Sequence, residues 1–371
     1  HGSVRPMADA LARTSLHGRH VALGARMGAF AGWEMPLHYA GARAEHRAVR
    51  EAAGLFDVSH MGQLEVSGPR ARDALRRALT NDLAIGPGRG QYTLMCDAAG
   101  GVVDDLIAYA LPDRYLLVVN ASNVAACLEH LGALLPDGVE LADRSAEVAM
   151  LALQGPAWAE ALRPLLATPA ALGLEYFEIA EDLVAGVPCL IARTGYTGEP
   201  GVELLCPWDE APRLWDALMS VDRPPAPAGL VARDTLRLEM GYPLHGQELS
   251  RERTPIEAGL RWACDLEGGV FAGVDVLRRQ AEEGTPERLA AFRMTEPGIP
   301  RPGQEVLVEG RPSGRVTSGT LSPCLEVGIG MAYVPAPVAA PGTDIAIDVR
   351  GKTKSARTAR RPLVGASPKP S

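Results

Sequence analysis

Residues 90–120 read GQYTLMCDAAGGVVDDLIAYALPDRYLLVVN, and this stretch decides the fold. Apolar, aromatic and β-branched residues fill Gln91–Cys96, Val102–Leu111 and Tyr115–Val119. Asp97–Gly101 and Pro112–Arg114 separate them with turn-forming residues, so two successive hairpins are expected. Asn123–Leu135 then has the composition of a covering helix. A similar alternation recurs between Glu147 and Asp222. Strand Ala149–Gln154 leads to helix Pro156–Leu166, strands Phe177–Leu183, Cys189–Arg193 and Val202–Cys206, and helix Pro212–Val221. Short strands in hairpins alternating with helices predict split β-α-β sheets of the α+β class. The recurrence is architectural, without a residue-level repeat.

Upstream, Gly41–Ala53 predicts a helix closed by Gly54, and Gly54–Gly68 predicts strands broken at Gly62. A further helix is expected over Ala71–Thr80, whereas Leu11–Met27 shows no regular spacing. Beyond Leu289 the pattern becomes all strand and turn: Leu289–Met294, Gln304–Glu309, Gly314–Ser318, Gly328–Tyr333 and Asp344–Arg350. That predicts a small terminal β-barrel or sandwich.

Composition bounds the function. The 371 residues suffice for two or three domains, and 47% hydrophobic with 22% charged residues argues against disorder. A net charge of −8 disfavours a nucleic-acid protein, because phosphate neutralisation needs surplus Lys and Arg. No run approaches the ~20 apolar residues of a membrane-spanning helix. The six cysteines (96, 127, 189, 206, 264 and 324) form no CxxC pair and no zinc-type spacing, so they read as buried hydrophobes in a reducing compartment and no metal is expected. His1-Gly2-Ser3 reads as a tag remnant within residues 1–6, and 365–371 as a disordered tail.

Four places break local consistency, and such breaks are enriched at functional sites. Asp104 and Asp105 sit in an apolar strand and point to opposite faces, so one can face solvent while the other enters an interior. A half-exposed hairpin with both carboxylates satisfied locally is the alternative. Arg193–Glu203 (RTGYTGEPGVE) is glycine-rich, which would let backbone approach a ligand, or it is a plain hairpin. Arg233 and Arg237 share a helix face, which also fits an ion-pair network. His60 beside Met61 reads first as a structural histidine. No nucleophile elbow, HExxH or Walker loop is present.

Taken together, FAGWEMPLHY (30–39), GLFDVSHMGQLEVSGP (54–69), LTNDL (79–83), residues 90–109, VVNASN (118–123), LALQGP (151–156), RTGYTGEPGVEL (193–204), ARDTLRLE (232–239) and VTSGTLSP (316–323) resemble the aminomethyltransferase family, the T-proteins of the glycine cleavage system. The resemblance runs from about Thr14 to Pro362. It implies a three-domain cloverleaf around a central channel for tetrahydrofolate. The first domain would take 7–60 with 145–278, the second 61–144, and the barrel 279–364. It also implies a reaction: the aminomethyl group on the lipoyl arm of H-protein gives its methylene to tetrahydrofolate, with release of ammonia. Asp105 matches the catalytic position, where a carboxylate can stabilise developing positive charge or manage a proton. Glu203 matches the acceptor of the pterin's two parallel donors, and Arg233 a folate contact. Tyr92, Tyr109, Tyr196 and Trp262 are implied as channel walls, with Met61, Asn120, Tyr176 and Phe177 around them.

Two positions depart from the family pattern. Leu363 follows the last proline where an aromatic is usual, leaving Arg360 or Arg361 as substitutes. Glu65 stands where the family is often apolar. A monomeric cytoplasmic enzyme is expected, or a mitochondrial one if a transit peptide precedes it. The alternatives are another folate-dependent methyl transferase or demethylase on the same fold, or a non-catalytic folate binder. An iron–sulfur-assembly relative would carry KGCYxGQE where this chain has RWACDLEGG (261–269), and a flavin-linked oxidase would carry an N-terminal dinucleotide fingerprint.

Overall fold

The computed structural model describes residues 10–367, so the expected tag remnant and the last four residues of the expected tail lie outside the described residues. In chain order, α1 (His17–Ala22) precedes a hairpin of β1 (Arg26–Phe30) and β2 (Trp33–His38). Then come α2 (Ala42–Glu51), β3 (Gly54–Asp57), β4 (Gly62–Ser67), α3 (Ala71–Ala78), β5 (Arg89–Cys96), β6 (Val102–Ala110), β7 (Arg114–Val119), α4 (Val124–Leu134) and β8 (Glu140–Asp143). Next are β9 (Val148–Gln154), α5 (Trp158–Leu162), β10 (Ile179–Val184), β11 (Val187–Ala192), β12 (Gly201–Pro207), α6 (Ala211–Leu218), β13 (Ala226–Pro227), α7 (Leu230–Met240) and α8 (Val274–Glu283). The chain ends in β14 (Glu287–Met294), β15 (Glu305–Val308), β16 (Arg311–Leu321), β17 (Gly328–Pro335), β18 (Asp344–Val349) and β19 (Lys352–Ala359).

The strands form a five-stranded sheet β5-β6-β7-β4-β8, a six-stranded sheet β10-β11-β12-β9-β3-β13, and a closed barrel β14-β17-β16-β15-β18-β19. This is the mixed α+β class with a terminal barrel. β3 belongs to the six-stranded sheet and β4 to the five-stranded one, so residues 54–67 cross between them. Leu75, Cys127 and Leu131 of α3 and α4 cover one face of the five-stranded sheet. Its other face shares a core with the six-stranded sheet: Tyr109, Leu116 and Val118 meet Phe56, Met150, Ala152 and Leu205, with Ala232 and Leu236 of α7. α5 and α6 close the far side through Trp158 and Trp215. Burying these apolar faces against each other is the main driving force for assembly.

Several expectations needed correction. Residues 11–27, read as irregular, contain α1 and enter the β1–β2 hairpin. β1 is mostly exposed, so its sequence carries no inward–outward alternation. The expected helix over Pro156–Leu166 stops at Leu162, because Pro164 turns the chain into a 3-10 segment (Arg163–Leu165). The barrel has a sixth strand, β19, in KTKSARTA; Ala356 and Thr358 face in, Arg357 faces out, and Lys352 and Lys354 continue the inward face at the end of the strand, opposite Val349 and Ile347.

Gly101 explains why β6 begins where it does. Val102 N–H donates to the carbonyls of Ser250 and Arg253, both at 3.0 Å. A Cβ at residue 101 would stand 2.0 Å from the Arg251 carbonyl oxygen. Gly101→Ala is expected to lower stability by about 1–3 kcal/mol, read as a shift in the urea midpoint. An unchanged midpoint would mean that the 250–253 loop moves aside freely.

Candidate active site

Antiparallel pairing sets which side chains of β5 and β6 share a face. Leu94 pairs with Asp105, Tyr92 with Ile107, and Gly90 with Tyr109, so these six face the six-stranded sheet. Asp105 is reached by two donors: Tyr92 O–H at 2.9 Å and Asn120 Nδ2 at 3.0 Å. Burial, and then the Asp104 carboxylate, push the Asp105 carboxyl up to about 7. The hydrogen bonds from Tyr92 and Asn120 oppose that rise.

Asp104 does not face solvent. It points into the layer under α4, fully buried, and accepts from Asn120 N at 3.0 Å, Asn120 Nδ2 at 2.8 Å, Asn123 Nδ2 at 2.6 Å and Cys127 Sγ at 3.4 Å. Of the two aspartates, Asp104 is therefore the one that enters an interior, under α3 and α4, and Asp105 is the half-buried one on the opposite face. Asn120 binds both carboxylates and holds them in register.

Glu203 lies on β12, buried, opposite Ala192 and Ala152. Tyr109 O–H and Thr194 Oγ1 are 2.8 Å apart, and Thr194 Oγ1 donates to Glu203 Oε2 at 2.6 Å. The threonine has one proton to give, so Tyr109 donates to it and the three form a one-way relay. Glu203 Oε1 makes no hydrogen bond among the described residues. Burial raises this carboxyl above its ordinary value, and Arg233 pulls it back. Arg233 of α7 lies 4.9 Å above the Tyr196 ring, and its Nη1 is buried without a partner. Tyr196 joins the two halves of the site, since its phenol feels both Asp105 and Arg233. Its hydroxyl donates to the Pro243 carbonyl, and its ring stacks on Tyr242 with centroids 5.7 Å apart.

The other expected residues divide into walls and supports. Trp262, 67% exposed, stacks on Tyr92 at 5.3 Å and roofs it. Tyr176 is half-buried, meets Phe177 edge-on at 4.6 Å, and its phenol feels Glu203. Phe177 sits at φ 70°, unusual for an aromatic, held by Phe177 N–H to Arg193 O (3.0 Å) and Gly90 N–H to Phe177 O (2.7 Å). Met61 packs on the shared core near Tyr109. Tyr109 is fully enclosed, which makes it a support of Glu203 through Thr194. Leu363 is buried in the barrel-side core, its N–H on Glu239 O at 2.7 Å. Arg360 is exposed, whereas Arg361 reaches the Gly241 and Ala258 carbonyls and its field extends to Tyr92. Glu65 shares the inner face but is taken by Arg114 (2.8 Å) and Arg144 (3.3 Å). His60 is buried on Phe30, and burial lowers its imidazole to about 4.

The glycine-rich loop 193–201 links the antiparallel neighbours β11 and β12 as a hairpin, one of the two readings its sequence allows. Its glycines serve internal packing: a Cβ at Gly195 would lie 1.9 Å from Gln154 Oε1. Gln154 in turn donates to Thr194 O at 3.1 Å and accepts from Thr197 Oγ1 at 2.9 Å, so the loop is clamped and presents Thr194. Thr194, Asn123 and Tyr242 were not singled out from sequence. Only their tertiary neighbours give them a role.

Residues 16–268 match the GCVT N-terminal domain, and 287–364 match the glycine cleavage T-protein C-terminal barrel domain. The chain belongs to the aminomethyltransferase family. It is 48% identical to the aminomethyltransferase of Parafrankia sp. over 97% of this chain and 99% of that protein. The aminomethyltransferase of Symbiobacterium thermophilum is 46% identical over 96% and 98% of the two chains. The glycine cleavage system aminomethyltransferase T of Bartonella henselae superposes with a TM-score of 0.89 at 32% identity, covering 96% of this chain and 99% of that one. The chain is accordingly an aminomethyltransferase of the glycine cleavage system. Among the described residues, no helix is long and apolar enough to cross a membrane.

Within this family member, Tyr92 tests the electrostatics of Asp105. Its hydroxyl favours the charged carboxylate, so Tyr92→Phe should raise the Asp105 pKa further. The acid limb of the kcat/KM profile is then expected to move to higher pH. A limb that stays in place would show that the bond does not hold the charge.

Proposed function

We propose that this aminomethyltransferase uses tetrahydrofolate as acceptor and the aminomethylated lipoyl arm of H-protein as donor. The products are 5,10-methylenetetrahydrofolate, ammonia and the dihydrolipoyl arm. The observation that carries the reading is the pairing of a half-buried, doubly held Asp105 with Glu203 and Arg233 across Tyr196. Folate fits the groups present: Arg233 Nη1 is a donor left unpaired inside the protein, where that is costly, and only Oε2 of Glu203 accepts a hydrogen bond among the described residues. The reduced pterin would supply the nucleophilic amine that takes the methylene.

The protein's part is positional and electrostatic. Glu203 accepts the two parallel donors of a pterin edge, and the Tyr109–Thr194 relay fixes its carboxylate. Arg233 serves an acceptor on the same ligand. Trp262, Tyr92, Tyr176 and Tyr196 supply flat walls, and Met61 and Phe177 fill between them. Asp105 stands where positive charge develops as the bond from methylene carbon to sulfur or nitrogen breaks, and its raised pKa suits it to pass a proton near neutral pH. Arg361 is the basic group from the C-terminal segment nearest this site. The same reading divides the chain into 7–60 with 145–278, 61–144 and 279–364 around the channel, as a monomer, and the bacterial relatives support a cytoplasmic setting.

The test is formation of methylenetetrahydrofolate and ammonia from aminomethylated H-protein. Tetrahydrofolate binding without H-protein-dependent ammonia release would replace the enzyme with a folate binder.

A further inference from the structure

Far along the chain from one another, His46 of α2, Glu239 of α7 and Cys324 in the β16–β17 connection converge. Their ligand atoms all lie within 4.8 Å of one another. Cys324 was expected to be a buried hydrophobe and is instead exposed. Sequence spacing could not reveal this group, because its members come from three separate elements.

Hydrogen bonding determines which imidazole nitrogen faces the group. Thr235 Oγ1 donates its proton to Ala232 O at 2.9 Å, so at 2.7 Å it must accept from His46 Nδ1–H. That leaves Nε2 facing Glu239 Oε2 at 3.0 Å and Cys324 Sγ at 3.5 Å. A neutral imidazole with its proton on Nδ1 would set a lone pair against a carboxylate oxygen. Something positive must therefore lie on that line, either a second proton or a cation.

A second proton makes the 3.0 Å contact an ordinary hydrogen bond, and a cation can take that proton's place at little cost. Tetrahedral zinc bonds of about 2.0–2.3 Å place N and O ligands about 3.4 Å apart, and N and S ligands about 3.6 Å apart. The observed 3.0 and 3.5 Å need an opening of only a few tenths of an ångström. The outer shell is complete. Glu239 Oε1 accepts from Ser322 Oγ at 2.5 Å and Cys324 N at 3.2 Å, and Arg50 holds Oε2 at 2.9 Å. Arg50 is also paired with Glu199 at 2.9 Å, so its charge is shared and Glu239 keeps a net negative field. A groove of about 400 Å³ runs past Thr235 and Ser322, the residues that hold His46 and Glu239, although none of the three ligands lines it.

We propose that His46, Glu239 and Cys324 bind a borderline-soft divalent cation of the zinc class, which pins the barrel to α2 and α7. Binding forms the metal–sulfur bond and releases the thiol proton to solvent, together with any second imidazole proton.

The experiment titrates the full chain, stripped with a chelator, with Zn2+ against a chromophoric competitor, and with Co2+ by absorption. One equivalent should bind, with a thiolate-to-cobalt charge-transfer band and a Zn2+-dependent rise in the thermal midpoint. Cys324→Ser should weaken binding by about tenfold or more and remove both the band and the rise. The variant is near-isosteric at an exposed position, and circular dichroism checks its fold; Cys324→Ala gives a second reading. No stoichiometric binding, a cobalt spectrum without the band, or equal affinity in both variants overturns the site.

Discussion

Asp105→Asn is expected to lower kcat by roughly 10²–10⁴-fold while leaving tetrahydrofolate affinity within a few-fold. Asparagine keeps the size and one acceptor oxygen but removes the charge and the exchangeable proton. Its amide also presents a donor to either Tyr92 O–H or Asn120 Nδ2, both of which donate to residue 105. The readouts are single-turnover rates with aminomethylated H-protein and equilibrium folate binding. A large loss of affinity at intact kcat would make Asp105 a binding residue instead.

The same substitution has a stability signature whose sign follows from linkage. The folded-state carboxyl is raised, mainly by burial and then by Asp104. Such a group favours the fold fully below its ordinary value of about 4, and that contribution is lost as pH rises through about 7. Asparagine does not titrate. The variant should therefore lose less stability than the parent between about pH 4 and about pH 7, measured as urea midpoints. Parallel pH curves would show that Asp105 is not held in a charge-averse environment.

Glu203→Ala is expected to weaken tetrahydrofolate binding by roughly 10²-fold or more, with kcat at saturating folate much less affected. Two hydrogen bonds to a charged acceptor, at about 1.5–3 kcal/mol each, are lost, and the ligand's donors are left in a buried site. Thr194 Oγ1 loses its acceptor, and Arg233, whose charge Glu203 favours, loses its counter-ion. Fluorescence titration and the split between KM and kcat check this. Unchanged affinity removes Glu203 from the pterin site.

Much of the architecture was legible in local pattern. The hairpins of residues 91–119, the strands 149–154 and 201–207, and five of the barrel strands alternate or run apolar as buried strands must. β1 and β19 escaped because an exposed or charge-decorated strand lacks that alternation. In the site, Asp105 stood out as a charge in an apolar strand and Arg233 as one of two arginines on a helix face, while Glu203 came from the family resemblance. Thr194 and Asn123 did not, since a threonine beside glycine and an asparagine before a helix are ordinary locally.

The sequence by itself determined the class, the barrel and the family, because local periodicity and co-linear motifs are properties of neighbouring residues. Tertiary structure alone decided what each polar group faces. Which of Asp104 and Asp105 enters the interior was open until α4 covered Asp104, and the glycines of 193–201 make room for Gln154 and Met240. Cys324 looked like one more small hydrophobe until the barrel set it beside His46 and Glu239. Burial and hydrogen-bond partners come from elements far apart in the chain, and they set the charge, tautomer and pKa on which the chemistry depends.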